Sequence, residues 1–408
     1  MVNMLNDFQS NTIKQAVLLA GGMGTRLKPF TDDNPKPMYP VGGRPFMGHL
    51  LDQIESFGIK EVILLLGYKA EKIQDYVENE WKNETDGHSL NVVYDVTPVE
   101  YDTGARIKNV QNLLQADFLL MYCDNYCTID FKKLCSDYFN NNAKIQLTAY
   151  ENKDGYTKDN LIISEDGRII CYDKKRVTQG LSGVDIGYAI VSRECVEQFN
   201  EENENFEKIT YPHLVNEGKL FATVTKHRYY SVGSWERIEL TQEFFGKQKT
   251  IFLDRDGTLN VRPPKACYVE SPEDFVWLPG AVEAIKLLKE RNYRIILVSN
   301  QPGIARGNLT EEMLHRINAK MQDDLKEQIG REIDDIFYCP HNWDEGCECR
   351  KPKPGMFFMA QKKYSINLTK CYMIGDDERD IEAAEAAGMM AKLVDDQYTI
   401  LDAVKEIG

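Results

Sequence analysis

The sequence predicts an α/β chain of two doubly wound domains in tandem. Three observations carry that reading. Strand-sized apolar runs alternate with helical stretches in both halves, the first strand runs into a glycine-rich turn, and near residue 247 a polar stretch gives way to a fresh strand ending in an acidic turn. A chain of 408 residues has room for two or three cores at about 150 residues per domain.

In order, Gln15–Ala20 reads as an apolar strand, residues 47–57 as a helix and Glu61–Leu66 as a second strand, which opens a βαβ pattern. Further strands are expected at 118–122, Ile145–Tyr150, 187–191 and 221–226, an α/β sheet with some antiparallel additions. The alternation restarts with a strand at 251–253, a helix at 281–291, a strand at 294–299, a helix at 310–329, a strand at 371–374 and a helix at 381–387. The domains are accordingly expected at 1–246 and 247–408.

With 42% hydrophobic and 28% charged residues, the composition excludes intrinsic disorder, collagen and a small disulfide scaffold. The net charge of −15, from 49 basic and 64 acidic residues, argues against general nucleic-acid binding. Anionic small substrates stay open, because local cations and metal ions override the global field inside a pocket. Residues 1–15 lack the continuous apolar centre of a signal peptide, and runs such as 62–66 and 295–298 fall far short of the roughly 18 residues a membrane span needs. A cytoplasmic protein with no membrane partner is expected. Among ten cysteines, Cys339, Cys347, Cys349 and the more distant Cys371 crowd the last quarter, which suits a reduced compartment with one local metal site. Oligomeric state stays open.

After the first strand, Ala20, Gly21, Gly22, Gly24 and Thr25 form a turn whose backbone N–H groups can approach a polyphosphate. Neither standard phosphate loop fits, since GxxxxGK[ST] is absent and Leu27 replaces the third glycine of GxGxxG. Arg26 beyond the glycines and Lys36 between two prolines place two cations near the same anion site, which reads as a triphosphate clamp. The run 19–37 is similar, without a mismatch, to the signature LAGGxGTRLxPxTxxxPKP of sugar-phosphate nucleotidyltransferases. That resemblance implies a Rossmann-like domain in which a sugar 1-phosphate oxygen attacks the α-phosphate of a nucleoside triphosphate, pyrophosphate leaves and Mg²⁺ bridges the charges. It implies that Arg26 stabilises the developing charge, Lys36 holds the phosphates and Asp124 binds magnesium. It also implies sugar-side contacts from Asp173, Lys174 and Asp185, and nucleotide or sugar contacts from Glu100, Thr103 and Gly104. The segment 103–106 resembles the TGGR of cytidylyltransferases, while the pathway logic of activated heptoses favours guanosine or adenosine, so the base stays open. Where the family commonly carries a second metal-binding Asp, this chain has Ser231. A domain that only senses a nucleotide sugar is the alternative.

In the second half, Asp254 and Asp256 stand two apart at the end of a strand, so alternation points both the same way. A carboxylate that attacks phosphorus needs a metal and a neighbouring acid, and these two supply nucleophile and general acid–base. Ser299-Asn300, Arg350-Lys351 and Gly375-Asp376 follow in order, each after its own apolar strand. The ordered set resembles the haloacid dehalogenase superfamily over roughly 250–395. This implies Ser299 and Lys351 as phosphate ligands, with Asn300 and Arg350 beside them, and Mg²⁺ held by Asp376 with Asp254 and Asp256. The short gap from Asp254 to Ser299 leaves no room for a large cap, so loops 260–279 and 301–307 and the cysteine loop must set specificity.

Cys339, His341, Cys347 and Cys349 supply four ligands within eleven residues, the pattern of a closed, structural Zn²⁺ site. This loop, with Asn300 to Arg306, is similar to the D-glycero-D-manno-heptose 1,7-bisphosphate phosphatase branch, with histidinol-phosphate phosphatases close by. Arg306 is taken as a substrate contact. Asp377 departs from the Lys expected there, and Arg379 could restore the charge. A phosphatase that yields a sugar 1-phosphate makes what a nucleotidyltransferase consumes, so the tandem favours the heptose reading. Action on another phosphorylated sugar or polyol is the alternative.

Overall fold

The computed structural model describes residues 12–84, 88–199, 203–246, 248–264 and 267–407. Most of the stretch read for a signal peptide, residue 247 and part of the 260–279 loop lie outside the described residues. The chain forms two compact units, Met1–Gln242 and Glu243–Gly408.

The first unit is built on a seven-stranded sheet. Its strands are β1 (Gln15–Ala20), β2 (Glu61–Leu66), β3 (Asn91–Val96), β4 (Asp117–Tyr122), β5 (Ile145–Tyr150), β6 (Val184–Ser192) and β7 (Leu220–Thr225). They lie in the order β7-β5-β6-β4-β1-β2-β3. All neighbours run parallel except β6, which is antiparallel to both β4 and β5. The central strands are buried on both faces, which is why they read as unbroken aliphatic runs. Strand β3 sits at the sheet edge, half-exposed, and has no such run. Strand β6 is longer than the expected 187–191, because its pairing with β5 shifts register between Asp185 and Ala189 and breaks the alternation.

The second unit carries a five-stranded parallel sheet. Its strands are β8 (Thr250–Leu253), β9 (Arg294–Asn300), β10 (Asp335–Cys339), β11 (Tyr372–Gly375) and β12 (Met390–Leu393). Their order is β10-β9-β8-β11-β12. Alternation divides the strand side chains between two cores: Ile251, Leu253, Ile295 and Leu297 pack with the helices Ala281–Glu290, Glu311–Ile329 and Ile400–Glu406, while Phe252, Ile296 and Val298 pack with Gly355–Tyr364 and Glu378–Ala386. The helix expected from 310 begins one residue later because Thr310 is its cap, accepting a hydrogen bond from the Met313 N–H. No helix among the described residues is long and apolar enough to cross a membrane.

Each sheet has one point where successive strands part to opposite sides. In the first unit this lies between β1 and β4, and in the second between β8 and β11. The crevice beyond the carboxyl ends of those strands is where an open α/β sheet leaves room for a ligand.

Candidate active sites

In the first unit the glycine turn leaves β1, and Cys123-Asp124 leaves β4, on either side of that crevice. They border a cleft of about 230 Å³ whose lining includes Gly21, Gly22, Gly24, Lys36, Thr103 and Asp124. Lys36 Nζ donates to Asp124 Oδ2 at 2.7 Å. Burial alone would lower the Lys36 ammonium, but Asp124 and Cys123 outweigh it and hold the group above its ordinary value. Ser231 lies beside Asp124 through the short pairing of Tyr229–Ser231 with Asn125–Cys127. Its hydroxyl donates to the Asp124 carbonyl and accepts from the Gly233 N–H, each at 2.9 Å. The position that carries an Asp in the resembling family thus fixes backbone here. A single carboxylate is enough for Mg²⁺ when substrate phosphates complete the sphere, so Asp124 fits that ion.

The remaining expected residues of this unit are dispersed. Ala20 is buried at the end of β1, and Thr25 and Arg26 stand exposed on a 3₁₀ turn, Arg26 near Gly233 and Asp124. Glu100 is exposed, and its carbonyl accepts from Asn203. Gly104 is buried against Phe199. The Asp173 carboxylate closes a turn by accepting from the Lys175, Val177 and Thr178 N–H groups. Lys174 donates to Asn205 and to Glu207. Asp185 lies near Glu207, and burial together with that second carboxylate pushes it up to about 7. None of Glu100, Gly104, Asp173, Lys174 or Asp185 lines the cleft described above.

In the second unit a cleft of about 440 Å³ is lined by Asp254, Asp256, Ser299, Asn300, Arg350 and Lys351, with Arg262, Tyr268, Arg379 and Asp380. Lys351 is its central cation, 3% exposed. Its Nζ donates to Asp254 Oδ1 at 2.7 Å and to the Val298 carbonyl at 2.8 Å, and lies 2.5 Å from Asp380 Oδ1. Burial opposes the charge, but the two carboxylates raise Lys351 above its ordinary value. Asn300 fixes the Lys351 backbone in both directions, accepting from its N–H and donating to its carbonyl, each at 3.0 Å. The cysteine loop leaves β10, and Arg350 returns a hydrogen bond to the His341 carbonyl, so the loop's shape sets where Lys351 stands.

Asp256 has different surroundings. Arg255, buried, holds both of its oxygens at 3.1 and 2.9 Å, Asn260 donates at 3.1 Å and Gln301 at 3.0 Å. Against burial, these donors keep Asp256 below the ordinary carboxylate range. Gln301 also donates to Ser299 Oγ at 2.8 Å, tying the serine to the same network. Asp376 stands close to Asp254 because residue 257 is glycine: a Cβ there would lie 1.9 Å from Asp376 Oδ2, and the backbone is left-handed with φ +102°. Burial pushes Asp376 up to about 6, and its Oδ1 is buried with no hydrogen-bond partner among the described residues. Oxygens of Asp254, Asp376 and Asp380 lie within 4.8 Å of one another. An orphaned carboxylate oxygen in an all-oxygen cluster fits a hard divalent cation. Asp380 takes the place in this cluster that the sequence reading gave to Asp256. Arg306 does not line the cleft; it donates to Asn342 and to the Tyr268 hydroxyl, and Tyr268 does line it.

The ligating atoms of Cys339, His341, Cys347 and Cys349 also lie within 4.8 Å of one another. Cys339 Sγ is 3.6 Å from Cys347 Sγ and 3.5 Å from His341 Nδ1, and Cys349 Sγ is 3.3 Å from His341 Nδ1. These three separations are close to the edges of a tetrahedron of such ligands around zinc, about 3.8 Å for sulfur–sulfur and about 3.5 Å for sulfur–nitrogen at ordinary Zn–S and Zn–N distances. The sulfurs are far outside the roughly 2.05 Å of a disulfide.

A family model described as haloacid dehalogenase-like hydrolase matches residues 190–388, and one described as nucleotidyl transferase matches residues 15–178. The hydrolase match begins inside the first unit, on β6. The D-glycero-beta-D-manno-heptose-1,7-bisphosphate 7-phosphatase of Haemophilus ducreyi is 40% identical over 153 residues, covering 36% of this chain and 82% of that protein. The protein of the same name from Helicobacter pylori is 36% identical over 157 residues, covering 38% and 87%. Among solved structures, HddC from Yersinia pseudotuberculosis complexed with GMP-PN is 28% identical, covers 57% of this chain and 99% of that one, and has a TM-score of 0.47.

The Lys351 geometry generates a stability prediction. Lys351→Met leaves Asp254 and Asp380 buried without their cation and is expected to cost about 3–5 kcal/mol. The exposed Lys353→Met is expected to change stability by no more than about 0.5 kcal/mol. Chemical denaturation of both variants checks this, and equal midpoints would show that the buried ion pair is not holding the cleft together.

Proposed function

The chain belongs to the haloacid dehalogenase-like hydrolases through its second half and carries a nucleotidyl transferase domain ahead of it; from that premise we propose that this bifunctional enzyme makes a nucleotide-activated heptose in two consecutive steps. The phosphatase half, residues 247–408, removes the 7-phosphate of a heptose 1,7-bisphosphate. The nucleotidyltransferase half, residues 1–246, joins the resulting sugar 1-phosphate to a nucleotidyl group from a nucleoside triphosphate and releases pyrophosphate. The observation that carries the reading is the 40% identity to a heptose bisphosphate phosphatase over 82% of its length, in a chain whose other half matches a family that acts on nucleotides.

In the phosphatase half an Asp254 oxygen attacks phosphorus, the bond from phosphorus to the sugar oxygen breaks, and the leaving oxygen takes a proton from Asp256. Water then attacks the aspartyl phosphate, gives its proton to Asp256 and releases inorganic phosphate. Arg255, Asn260 and Gln301 keep Asp256 ionised, the state a base needs for the second step. For the first step it must gain a proton when the phosphate dianion enters beside it and raises its proton affinity. Lys351 and Ser299 hold the phosphate, with Asn300 and Arg350 placing Lys351. Asp254 and Asp376, with Asp380 in reach, would hold Mg²⁺, which supplies charge neutralisation at phosphorus.

In the transferase half Lys36 and the glycine turn hold the triphosphate, Arg26 meets the charge on the leaving pyrophosphate, and Asp124 would hold Mg²⁺ together with the substrate phosphates. Lys174 and Asp185 serve the sugar side, with Glu207 fixing Lys174. Zinc on Cys339, His341, Cys347 and Cys349 is structural, since four protein ligands close its coordination. The reduced thiols suit the cytoplasm.

Two outcomes test this. Asp254→Asn is expected to abolish phosphate release and leave pyrophosphate release intact, while Lys36→Ala does the reverse; loss of both activities in either folded variant would contradict independent sites. Metal analysis is expected to find about one zinc per chain, and Cys347→Ser with Cys349→Ser is expected to remove it together with phosphatase activity. Zinc-free protein that retains full phosphatase activity would contradict the structural role.

A further inference from the structure

Arg106 stands on the helix Thr103–Asn109 with 3% of its surface exposed, and its hydrogen-bond partners among the described residues are carbonyls and one hydroxyl, not carboxylates. Its Nε donates to the Tyr101 carbonyl at 3.0 Å. Nη1 donates to the Leu66 carbonyl at 2.8 Å and to the Thr97 hydroxyl. Nη2 donates to the Pro98 carbonyl at 2.9 Å, the Val99 carbonyl at 3.2 Å and the Gly21 carbonyl at 3.4 Å. A guanidinium has five N–H groups, and here six acceptors share them, so none is left for a ligand. The TGAR segment therefore does not present this arginine to a base.

The partners join parts that are far apart in sequence. Gly21 opens the turn on one wall of the nucleotide cleft, and Tyr101, Thr103 and Arg106 itself line the same cleft. Between them the 97–101 segment is held by one planar fork. The chain makes room for that fork: a Cβ on Gly21 would lie 2.3 Å from Arg106 Nη1, and one on Gly67 would lie 2.7 Å from it.

We propose that Arg106 is a positioning residue for nucleotide binding, one that sets the spacing between the phosphate turn at Gly21 and the opposite wall at Tyr101 through its bonds to the backbone, with no N–H left to donate to the ligand. The inference rests on the nucleotidyl-transfer reading of the first unit. A lysine is a point charge with three donors on a flexible stem, so it cannot serve six acceptors at once. Geometry, not charge, is what Arg106 supplies.

The test is calorimetric titration of the full chain with each of the four nucleoside triphosphates and magnesium, alongside thermal unfolding and phosphatase assay. Arg106→Lys and Arg106→Gln are each expected to weaken the triphosphate that binds wild type by about tenfold or more. Thr97→Val, isosteric and outside the cleft lining, removes one acceptor and is expected to weaken binding by about threefold to tenfold. Phosphatase activity is expected to be unchanged throughout. Should Arg106→Gln fail to fold, Thr97→Val decides the outcome. Wild-type affinity in folded Arg106→Lys, or in Thr97→Val, overturns the positioning role even if unfolding temperatures fall. Wild-type protein that binds no triphosphate overturns the underlying reading, and the inference with it.

Discussion

In both units the first strand is laid down in the middle of its sheet. The chain then fills one side, β2 and β3 in the first unit and β9 and β10 in the second, before crossing to the other side with β4 or β11. Parallel neighbours must be joined by crossovers that run over a face, and where successive crossovers depart in opposite directions the carboxyl ends of two central strands are left uncovered. Both clefts open on those two gaps. Gly21 to Gly24 and Asp124 flank one, and Asp254 and Asp376 flank the other.

Both crevices set cations against carboxylates on a chain of net charge −15. The first is lined by two carboxylates, Asp124 matched by Lys36 and Asp102 capping the helix Thr103–Asn109. The second gathers carboxylates at the end of a sheet, where Lys351 is shared between Asp254 and Asp380 and Arg255 is committed to Asp256. Burial and the neighbouring Asp380 raise Asp254 despite Lys351, whereas Arg255, Gln301 and Asn260 hold Asp256 down against its burial, so the two members of the Asp-Arg-Asp pair differ in proton affinity. The chain spaces them two residues apart so that both point into the cleft, and uses the residue between them to tell them apart.

Strands with both faces buried were readable because burial leaves an unbroken aliphatic run, whereas the half-exposed edge strand β3 carries no such mark. The Cys339 to Cys349 cluster was readable because its ligands are close in sequence and of one chemical kind. Asp380 was not, for a definite reason: an acid in the first turn of a helix is the ordinary complement to the helix dipole, and Asp380 also completes the capping box with Asp377. Nothing in its local sequence distinguishes a cap from a partner of Lys351. The sugar-side residues suffered the reverse. The motif marks Asp173 as a contact without showing that its carboxylate also closes the turn that follows it, and Glu207, which holds Lys174, comes from a helix whose packing no local pattern reports. Arg106 was visible as part of a short motif, but its direction, into the backbone, depends on two glycines at positions 21 and 67 that lie on other strands' ends.

The central claim is that one chain performs both steps on one sugar, and phosphorus NMR tests it most directly. The purified protein is incubated with magnesium and heptose 1,7-bisphosphate, with each nucleoside triphosphate in a separate tube. The account predicts inorganic phosphate in every tube and, in at least one, pyrophosphate together with the diphosphate resonances of a sugar nucleotide. Inorganic phosphate without a sugar nucleotide in any tube would contradict the two-step account and leave the chain as a phosphatase joined to a domain that serves another purpose.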